Sequence, residues 1–295
     1  MNGMRLLIFI LLTGCLSQSV LPSETGAVFA FFCDKTDCFE LLKNLTREGE
    51  LSCAMYHTSK AQADWIQSRG SLIVDGEHAI KGATVEAGSG LMHDKFCVIN
   101  NSMVWTGSWN PSQERTISNN VILIESRVLA KAYLDEFEEL ERGVFHGGKS
   151  GQGRVALNGH LTEAFFCPED SCQKRVIEVL NSAKESIHFM AFSFTDNEIG
   201  ALLEKKSTKG IDVKGVFDPR MDKYSEYERL KNISIVSKIH HKVFIIDNST
   251  VITGSANPTG NGYTRNDENV LILRDERIAA EFEEEFKSLW RKSEI

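Results

Sequence analysis

Short apolar runs alternate with amphipathic stretches along the whole chain. The apolar runs that predict strands cover residues 27–32, 51–56, 71–74, 121–124, 165–166, 186–194, 211–217 and 270–273. The amphipathic stretches that predict helices cover residues 39–47, 60–68, 126–141, 173–184, 195–206 and 276–291. The helix at 195–206 is predicted to open with a capping box formed by Thr195 and Glu198. Strands that alternate with helices indicate an α/β fold with a mixed sheet.

A stretch of polar and apolar residues occurs twice without a gap, at 92–110 and again at 239–257. The identical positions pair His93 with His240, Lys95 with Lys242, Gly107 with Gly254, Ser108 with Ser255, and Asn110 with Asn257. In both halves the chain continues into a strand and then a long helix with one apolar face. An internal repeat of this kind determines how the fold is interpreted.

The repeat predicts two similar units in one chain. The first unit covers residues 27–143, a glycine-rich linker covers 144–158, and the second unit covers 159–295. Two such halves are expected to pack about a pseudo-twofold axis, as a fused homodimer would. Each half carries one copy of the histidine motif, so the functional site is expected at the interface. A monomer is expected to suffice.

The repeated stretch has the pattern of a β-hairpin. Residues 242–247 and 250–253 predict its two strands, and residues two apart on a strand face the same side. His240 and Lys242 should therefore point together, as should His93 and Lys95. The Gly-Ser-x-Asn segment follows the second strand, where glycine allows close approach to a ligand.

This constellation suits a phosphodiester substrate. Lysines, asparagine amides and serine hydroxyls from both halves can surround the phosphoryl oxygens and stabilise the charge of a pentacovalent transition state. One imidazole can attack phosphorus and form a phosphohistidine, while the other protonates the departing oxygen and then activates water. The stretch holds no cluster of carboxylates, so neither a metal nor another cofactor is expected in the chemistry.

His-x-Lys followed after four residues by Asp, and then Gly-Ser-x-Asn, resembles the signature of the phospholipase D superfamily. The resemblance covers residues 27–290 and implies two α/β sandwich repeats with one active site between them. It also implies that His93 and His240 are the nucleophile and the general acid/base. By the same resemblance Lys95, Lys242, Asn110 and Asn257 bind phosphate, and Ser108 and Ser255 support them.

The first copy departs from that pattern at two supporting positions. Asn100 stands where the second copy has Asp247, and Asn119 stands where the second half has Glu268. A carboxylate raises imidazole basicity and fixes its tautomer more strongly than an amide does. The two histidines are therefore predicted to be inequivalent. The resemblance implies that His93 is the nucleophile.

Two substrate classes are considered, and nucleic acid is expected ahead of phospholipid. The compact halves resemble the small nucleases of the superfamily, which favours nucleic acid and a nonspecific endonuclease. A net charge of −8 and attachment to a membrane would favour phospholipid, as for a phospholipase D or a cardiolipin hydrolase. A third interpretation is a decayed, membrane-tethered binder of phosphate or nucleic acid. Retention of both histidines and lysines speaks against that interpretation.

The N-terminal segment predicts export. Arg5 precedes an apolar run at 6–12, which is too short to span a bilayer but suits a signal peptide. The segment Leu12-Thr-Gly-Cys15 resembles a lipoprotein signal, so residues 1–15 are expected to be removed up to a lipidated Cys15. An ordinary signal peptide is the alternative. Either way the protein is expected outside the cytoplasm, and a lipidated one would be anchored to a membrane.

Cysteine spacing agrees with an oxidising compartment. The two halves repeat Ala-Phe-Phe-Cys with a second cysteine five positions on, which gives Cys33 with Cys38 and Cys167 with Cys172. These pairs are predicted disulfides, with a four-cysteine zinc site as the alternative. Cys97 is expected to be a buried free thiol.

Overall fold

The computed structural model describes residues 20–46, 49–112, 117–221 and 225–292. Its strands are β1 (Ser23–Glu24), β2 (Val28–Phe32), β3 (Leu51–Met55), β4 (Gly70–Val74), β5 (Thr84–Val85), β6 (Lys95–Ile99), β7 (Met103–Gly107), β8 (Asn120–Glu125), β9 (Gly153–Leu157), β10 (His160–Cys167), β11 (Ser186–Ala191), β12 (Asp212–Phe217), β13 (Ser234–Val236), β14 (Lys242–Ile246), β15 (Thr250–Gly254) and β16 (Glu268–Leu273). Its α-helices are α1 (Cys38–Leu45), α2 (Lys60–Gln67), α3 (Arg127–Glu141), α4 (Cys172–Asn181), α5 (Asn197–Thr208), α6 (Tyr227–Leu230), α7 (Gly260–Thr264) and α8 (Glu276–Lys292).

The two halves form two sheets with the same strand order. Within the described residues, the first sheet runs β2-β8-β7-β6-β3-β4-β5 and the second runs β1-β9-β10-β16-β15-β14-β11-β12-β13. Apart from β1 and β9 at one edge, each strand of the second sheet has its counterpart at the same place in the first. The sheets mix parallel and antiparallel pairs, which confirms the predicted α/β architecture of two similar repeats.

The central layer is built from the last helix of each half. Helix α3 packs on strands of both sheets, and so does helix α8. Their apolar faces, which include Tyr133 on α3 and Phe282 on α8, meet Phe96 and Val243 of the two sheets in one shared core. Each sheet packs its other face on a core of its own. The shared core holds the halves together, because separating them would expose these large side chains to water.

Most predicted elements are observed with ends shifted by a few residues, but one cap differs. The capping residue of α5 is Asp196, whose Oδ1 accepts hydrogen bonds from the backbone amides of Glu198 and Ile199. The prediction of Thr195 as the start of a capping box was wrong. A carboxylate one residue later takes that place, because aspartate is a better N-cap than threonine. Strand β9 also lies inside the segment predicted as a linker.

The predicted pairs Cys33–Cys38 and Cys167–Cys172 are disulfides in the structure. The expected free thiol at Cys97 was wrong, because Cys97 is bonded to Cys53. These two cysteines lie directly opposite each other on the antiparallel strands β3 and β6. Their counterparts in the second half are Phe189 and Phe244, which are paired at the same register.

Removing the disulfide between Cys53 and Cys97 is expected to destabilise the protein more than removing a local one. Its sequence separation of 44 residues corresponds to about 4 kcal/mol of loop-closure entropy in the unfolded chain. A separation of 5 residues corresponds to about 2 kcal/mol. The free energy of unfolding in urea is measured for two double variants. One carries Cys53→Ala and Cys97→Ala, and the other carries Cys33→Ala and Cys38→Ala. A smaller loss for the first variant would contradict this expectation.

The predicted signal peptide at 1–15 and Cys15 lie outside the described residues. Among the residues that the structure does describe, no helix combines the length and apolar character needed to cross a bilayer.

Candidate active site

The two His-x-Lys motifs face each other across the interface of the two halves. In each copy the lysine is the first residue of a hairpin strand, β6 or β14, and the histidine lies two residues before it. All four side chains are buried: His93 and His240 are 8% and 7% exposed, and Lys95 and Lys242 are 1% and 3% exposed. The structure therefore brings together the four residues that the sequence repeat singled out.

Each histidine is held by the backbone of the opposite half. The amide of His93 donates to the carbonyl of Asp267 at 2.9 Å, and the amide of His240 donates to the carbonyl of Ser118 at 2.7 Å. A residue just before each histidine also forms a parallel bridge to the other half. The reacting groups are positioned by backbone contacts, which depend little on side-chain identity. The site is complete only when both halves are packed together.

Glu268 reaches across the interface to His93. Its Oε1 lies 2.8 Å from His93 Nδ1, and both side chains are buried. This contact fixes the imidazole so that Nε2 is the nitrogen left for chemistry. The ring of Tyr56 packs edge-on against His93 at 4.7 Å between centroids.

His240 has a weaker partner at the matching position. Its Nδ1 lies 2.9 Å from the carbonyl oxygen of Ser108, which is neutral. Asn119, the counterpart of Glu268, directs its Nδ2 to the carbonyl of Ile117 at 2.8 Å. Phe192 packs on His240 where Tyr56 packs on His93. The surroundings of the two imidazoles therefore differ as the sequence predicted.

The two ammonium groups lie beside the imidazoles. Lys95 Nζ donates to the carbonyl of its own His93 at 2.5 Å, and Lys242 Nζ donates to that of His240 at 3.0 Å. Each Nζ also lies over an aromatic ring, that of Tyr56 at 5.0 Å and that of Phe192 at 5.2 Å. Such anchoring keeps both charges aimed at one small region between the halves.

Burial and mutual repulsion shift the acid–base equilibria of this region. Burial and the charges of Lys95 and Lys242 hold the pKa of both histidines well below its usual range. Burial lowers the pKa of Lys95 to about 8, and burial with the charge of Lys95 holds the pKa of Lys242 well below its usual range. Burial raises the pKa of Glu268 to about 8. Such a concentration of groups with perturbed pKa values is typical of an active site. The repulsion among the lysines and histidines indicates a site where a bound anion would be stabilised.

The serines of the repeated motif brace the backbone around the site. Ser108 Oγ accepts from the amide of Asn120 at 3.0 Å, and Ser255 Oγ accepts from that of Asn269 at 2.8 Å. Asn110 and Asn257 follow these turns at matched positions, and Asn110 is buried. The serines are thus placed to hold the loops that carry the asparagines.

Asp247 lies at the far end of its hairpin. It is five residues from Lys242, roughly 16 Å along an extended strand. Its carboxylate accepts from the backbone amides of residues 184–186 at 2.8–3.2 Å. Asn100 in the first half accepts one such bond, from Glu50 at 2.9 Å. The observed contacts of this motif position fasten the turn to the sheet.

Two asparagines at the interface have roles that sequence reasoning missed. Asn269 donates from Nδ2 to Asp94 at 2.6 Å and accepts from Thr106 at 2.8 Å, both in the opposite half. At the matching place Asn120 Oδ1 lies 2.9 Å from Nδ1 of His241 in the opposite half. The signal was present in the repeat, since both asparagines begin or nearly begin the strand after the motif. Their cross-interface partners could not be inferred without the packing.

The two sides of the site mouth differ in charge. Asp75 and Asp218 occupy matched positions, and each accepts a backbone hydrogen bond from the residue just before a catalytic-motif histidine. Two residues further on, one half has Glu77 and the other Arg220, both exposed. Arg220 forms a two-point ion pair with Asp218 at 2.7 and 2.8 Å.

A cavity of about 500 Å³ adjoins the His93 side. Its lining includes three carboxylates and one arginine, namely Asp75, Glu77, Glu86 and Arg265. The cavity also includes Asn266, whose Nδ2 lies 3.5 Å from Glu268. This side of the site is suited to a cationic or neutral group.

Two histidines, each paired with a lysine at the interface of two α/β halves, define a phosphodiesterase-type centre. Comparison with known proteins agrees. The family described as "Cardiolipin synthase, PLD-like domain" matches residues 29–141 and 176–290. The chain belongs to this family of phospholipase D-like proteins.

Individual relatives match parts of the chain. A phospholipase D of Rickettsia bellii is 34% identical over 123 residues, which is 39% of this chain and 61% of that protein. The phospholipase D family member Nuc of Salmonella typhimurium is 32% identical over 44% of this chain and 93% of its own, with a TM-score of 0.42. Phosphatidylserine synthase of Haemophilus influenzae has a similar fold, at 10% identity and a TM-score of 0.66, over 90% of this chain and 86% of its own.

The chain spans about three fifths of the length of the Rickettsia relatives it matches. The family match places both halves of the chain among phospholipase D-like domains. The substrate is taken up below.

Proposed function

We propose that the protein hydrolyses its phosphodiester through a covalent phosphohistidine at His93, without a metal ion in the chemistry. The observation that carries this proposal is the asymmetric contact of Glu268 with His93. A carboxylate on Nδ1 makes Nε2 a better nucleophile and stabilises the imidazolium formed on attack. His240, held by a neutral carbonyl, is the better proton donor and acceptor.

In the first step His93 Nε2 bonds to phosphorus, and the bond from phosphorus to the departing alcohol oxygen breaks. His240 gives its proton to that oxygen. The bound phosphate anion offsets the charges of Lys95 and Lys242, which raises the pKa of His240 and lets it carry the proton. In the second step His240 takes a proton from water, whose oxygen attacks phosphorus. The bond to His93 breaks, and a phosphate monoester leaves.

Replacing Glu268 by glutamine is expected to lower kcat/KM by roughly 10²-fold or more, because an amide supports the imidazole less well. In the parent protein kcat/KM should rise with pH towards about 8, as Glu268 loses its proton, and fall above it as Lys95 loses its own. The variant should lack the rising limb. A pH–rate profile from 5 to 10 makes the measurement.

The matched control is Asn119→Ala, which changes the corresponding residue of the other half. Its amide bonds to Ile117, so kcat/KM should stay within roughly threefold of the parent value. Equal losses in Glu268→Gln and Asn119→Ala would contradict the asymmetric assignment.

We propose a phospholipid head group as the substrate, ahead of nucleic acid. A nucleic-acid strand carries phosphates on both sides of the scissile one and is normally met by cations on both sides. Here one side of the mouth carries Arg220 paired with Asp218, and the other presents the carboxylates of Asp75, Glu77 and Glu86. A phosphodiester whose alcohol is cationic or neutral fits the acidic side, because a further phosphate would be repelled there.

Nucleic acid is the second candidate, favoured by the sequence alone. Each half is compact, and the described chain lacks a large inserted domain between its elements. Nonspecific cleavage of DNA or RNA needs little more than the paired motifs.

Purified full-length protein in EDTA, incubated separately with single-stranded DNA, with RNA, and with vesicles of phosphatidylethanolamine or cardiolipin, tests both proposals. Release of phosphatidic acid or its cardiolipin equivalent with intact nucleic acid is expected. Cleavage of DNA or RNA with intact lipid would reverse the order of substrates. Absence of hydrolysis in all arms would contradict the reaction itself.

We also propose export with a lipid anchor at Cys15. The three disulfides support an oxidising compartment, since cytosolic thiols are kept reduced. Labelling cells with an alkynyl fatty acid should mark the protein, and Cys15→Ala should abolish the label. An unlabelled parent protein would overturn the anchor.

A further inference from the structure

The two short disulfide loops occupy matched positions and reach the central helices of the opposite halves. The third residue of the loop closed by Cys33–Cys38 is Lys35, and the third residue of the loop closed by Cys167–Cys172 is Glu169. Lys35 forms an ion pair with Glu285 on α8 of the second half. Glu169 lies against α3 of the first half.

The residue on α3 that corresponds to Glu285 is Glu136. Both are the tenth residue of their helices, and both are buried. Glu285 is paired with Lys35, and Nε2 of His241 lies 3.6 Å from it. Hydrogen bonds and charge from His241 and Lys35 outweigh burial and lower the pKa of Glu285 to about 2.

Around Glu136, the positions that match Lys35 and His241 hold acidic residues. Glu169 stands where Lys35 stands, and Asp94 stands where His241 stands. Asp94 is fully buried, and its Oδ2 has no hydrogen-bond partner. The Oε2 atom of Glu169 is likewise buried without a partner.

Among the described residues, Glu136 therefore has no positive group at the place where Glu285 has one. Lys35 of the first half pairs with Glu285, whereas Glu169 of the second half brings a carboxyl group to Glu136 at the matching place.

A third carboxylate completes the cluster. Glu139 lies one turn after Glu136 on α3, and oxygen atoms of Glu136, Glu139 and Glu169 all lie within 4.8 Å of one another. The linker between the halves closes over Glu139: the amide of Lys149 donates to its Oε2 at 3.0 Å. A Cβ atom on Gly148 would lie 2.0 Å from that oxygen, so a larger residue there would require the Glu139 side chain to move.

We propose that Glu136, Glu139 and Glu169 bind a hard divalent cation of the Ca²⁺ type. The cation would lie at the position that corresponds to the ammonium group of Lys35 beside Glu285. Carboxylate oxygens are the ligands that Ca²⁺ prefers, and it tolerates irregular geometry from separate chain segments. The cation would tie α3 of the first half to the disulfide loop of the second. It takes no part in the hydrolysis.

Thermal unfolding of the full-length protein, stripped with EDTA and then titrated with CaCl₂ at pH 7.5, tests the proposal. Saturating Ca²⁺ is expected to raise Tm by roughly 3–6 °C, because a ligand of the folded state stabilises it by mass action. MgCl₂ provides a second arm and should act more weakly, since Mg²⁺ demands stricter geometry. Calorimetric titration should give one site per chain.

Two variants of the site and one control variant test whether Ca²⁺ binds to these three carboxylates. Glu169→Lys introduces the ammonium group seen in the other half, so it should raise Tm in EDTA and remove the response to Ca²⁺. Glu139→Gln should weaken Ca²⁺ binding at least tenfold. Asp135→Asn, on the same helix but paired to Lys131, should leave the response unchanged. Hydrolysis in EDTA should persist in all three, and circular dichroism should confirm that they fold.

Two results would overturn the proposal. The first is an unchanged Tm together with no heat of binding in the parent protein, which would mean that the carboxyls share protons instead. The second is a Ca²⁺ response that survives in both Glu169→Lys and Glu139→Gln, which would place the cation elsewhere. Neither result depends on the identity of the phosphodiester substrate.

Discussion

Replacing His93 by alanine is expected to lower kcat/KM by roughly 10⁴-fold or more, because the atom that bonds to phosphorus is lost. Replacing His240 by alanine should cost roughly 10²–10⁴-fold with a natural alcohol leaving group, since proton donation is lost but attack remains possible. Initial rates on a phosphodiester substrate give both values. If both variants kept the activity of the parent protein, a catalytic role for the motifs would be contradicted.

The leaving group separates the two roles. A p-nitrophenyl phosphodiester needs no proton donor for the first step, so His240→Ala should release a burst of p-nitrophenol. The phosphorylated protein should then accumulate, because the base that activates water is missing. Intact-mass measurement after an acid-free quench should detect the added phosphoryl group on His93. A burst from His93→Ala and none from His240→Ala would exchange the two assignments.

Replacing either Lys95 or Lys242 by methionine should lower kcat by roughly 10²–10³-fold, because a buried positive charge beside the transition state is lost. Methionine keeps much of the length and the apolar stem, so packing over Tyr56 and Phe192 is retained. The p-nitrophenyl substrate should not restore activity, unlike the case of His240. Steady-state kinetics on both substrates make the comparison.

The matched control is Lys287→Met, which removes an exposed lysine of α8. It should leave kcat unchanged. Loss of the pH-dependent fall above about 8 in Lys95→Met would support the assignment of that limb to Lys95. If Lys95→Met and Lys242→Met both kept full activity, groups other than these lysines would have to stabilise the anion.

The doubled motif carried most of what could be predicted. Periodicity predicted the strands and helices, and the repeat predicted two matched halves with one site between them. The inequivalence of the two imidazoles was also predicted from sequence, since Glu268 and Asn119 differ at matched positions. These features are local or follow from symmetry, so they can be inferred without coordinates.

Features that depend on register across strands could not be predicted. Cys53 and Cys97 are 44 residues apart and meet only because β3 and β6 pair antiparallel. The direction in which Glu268 points could not be inferred either, since it belongs to one half and serves the other. Six of the seven cysteines follow the predicted lipidation site at Cys15, and this even number in a chain predicted to be exported was the available signal for the third disulfide.

The joining of both halves in one chain has a genetic consequence. In a dimer of identical subunits, any substitution near the axis appears on both sides of the site at once. Here each position is encoded separately, so one side can acquire a carboxylate while the other keeps an amide. The pairs Glu268 and Asn119, and Glu77 and Arg220, are differences that no exact homodimer could hold. Covalent linkage thus permits a division of labour between acid and nucleophile, and a single direction in which the substrate can lie.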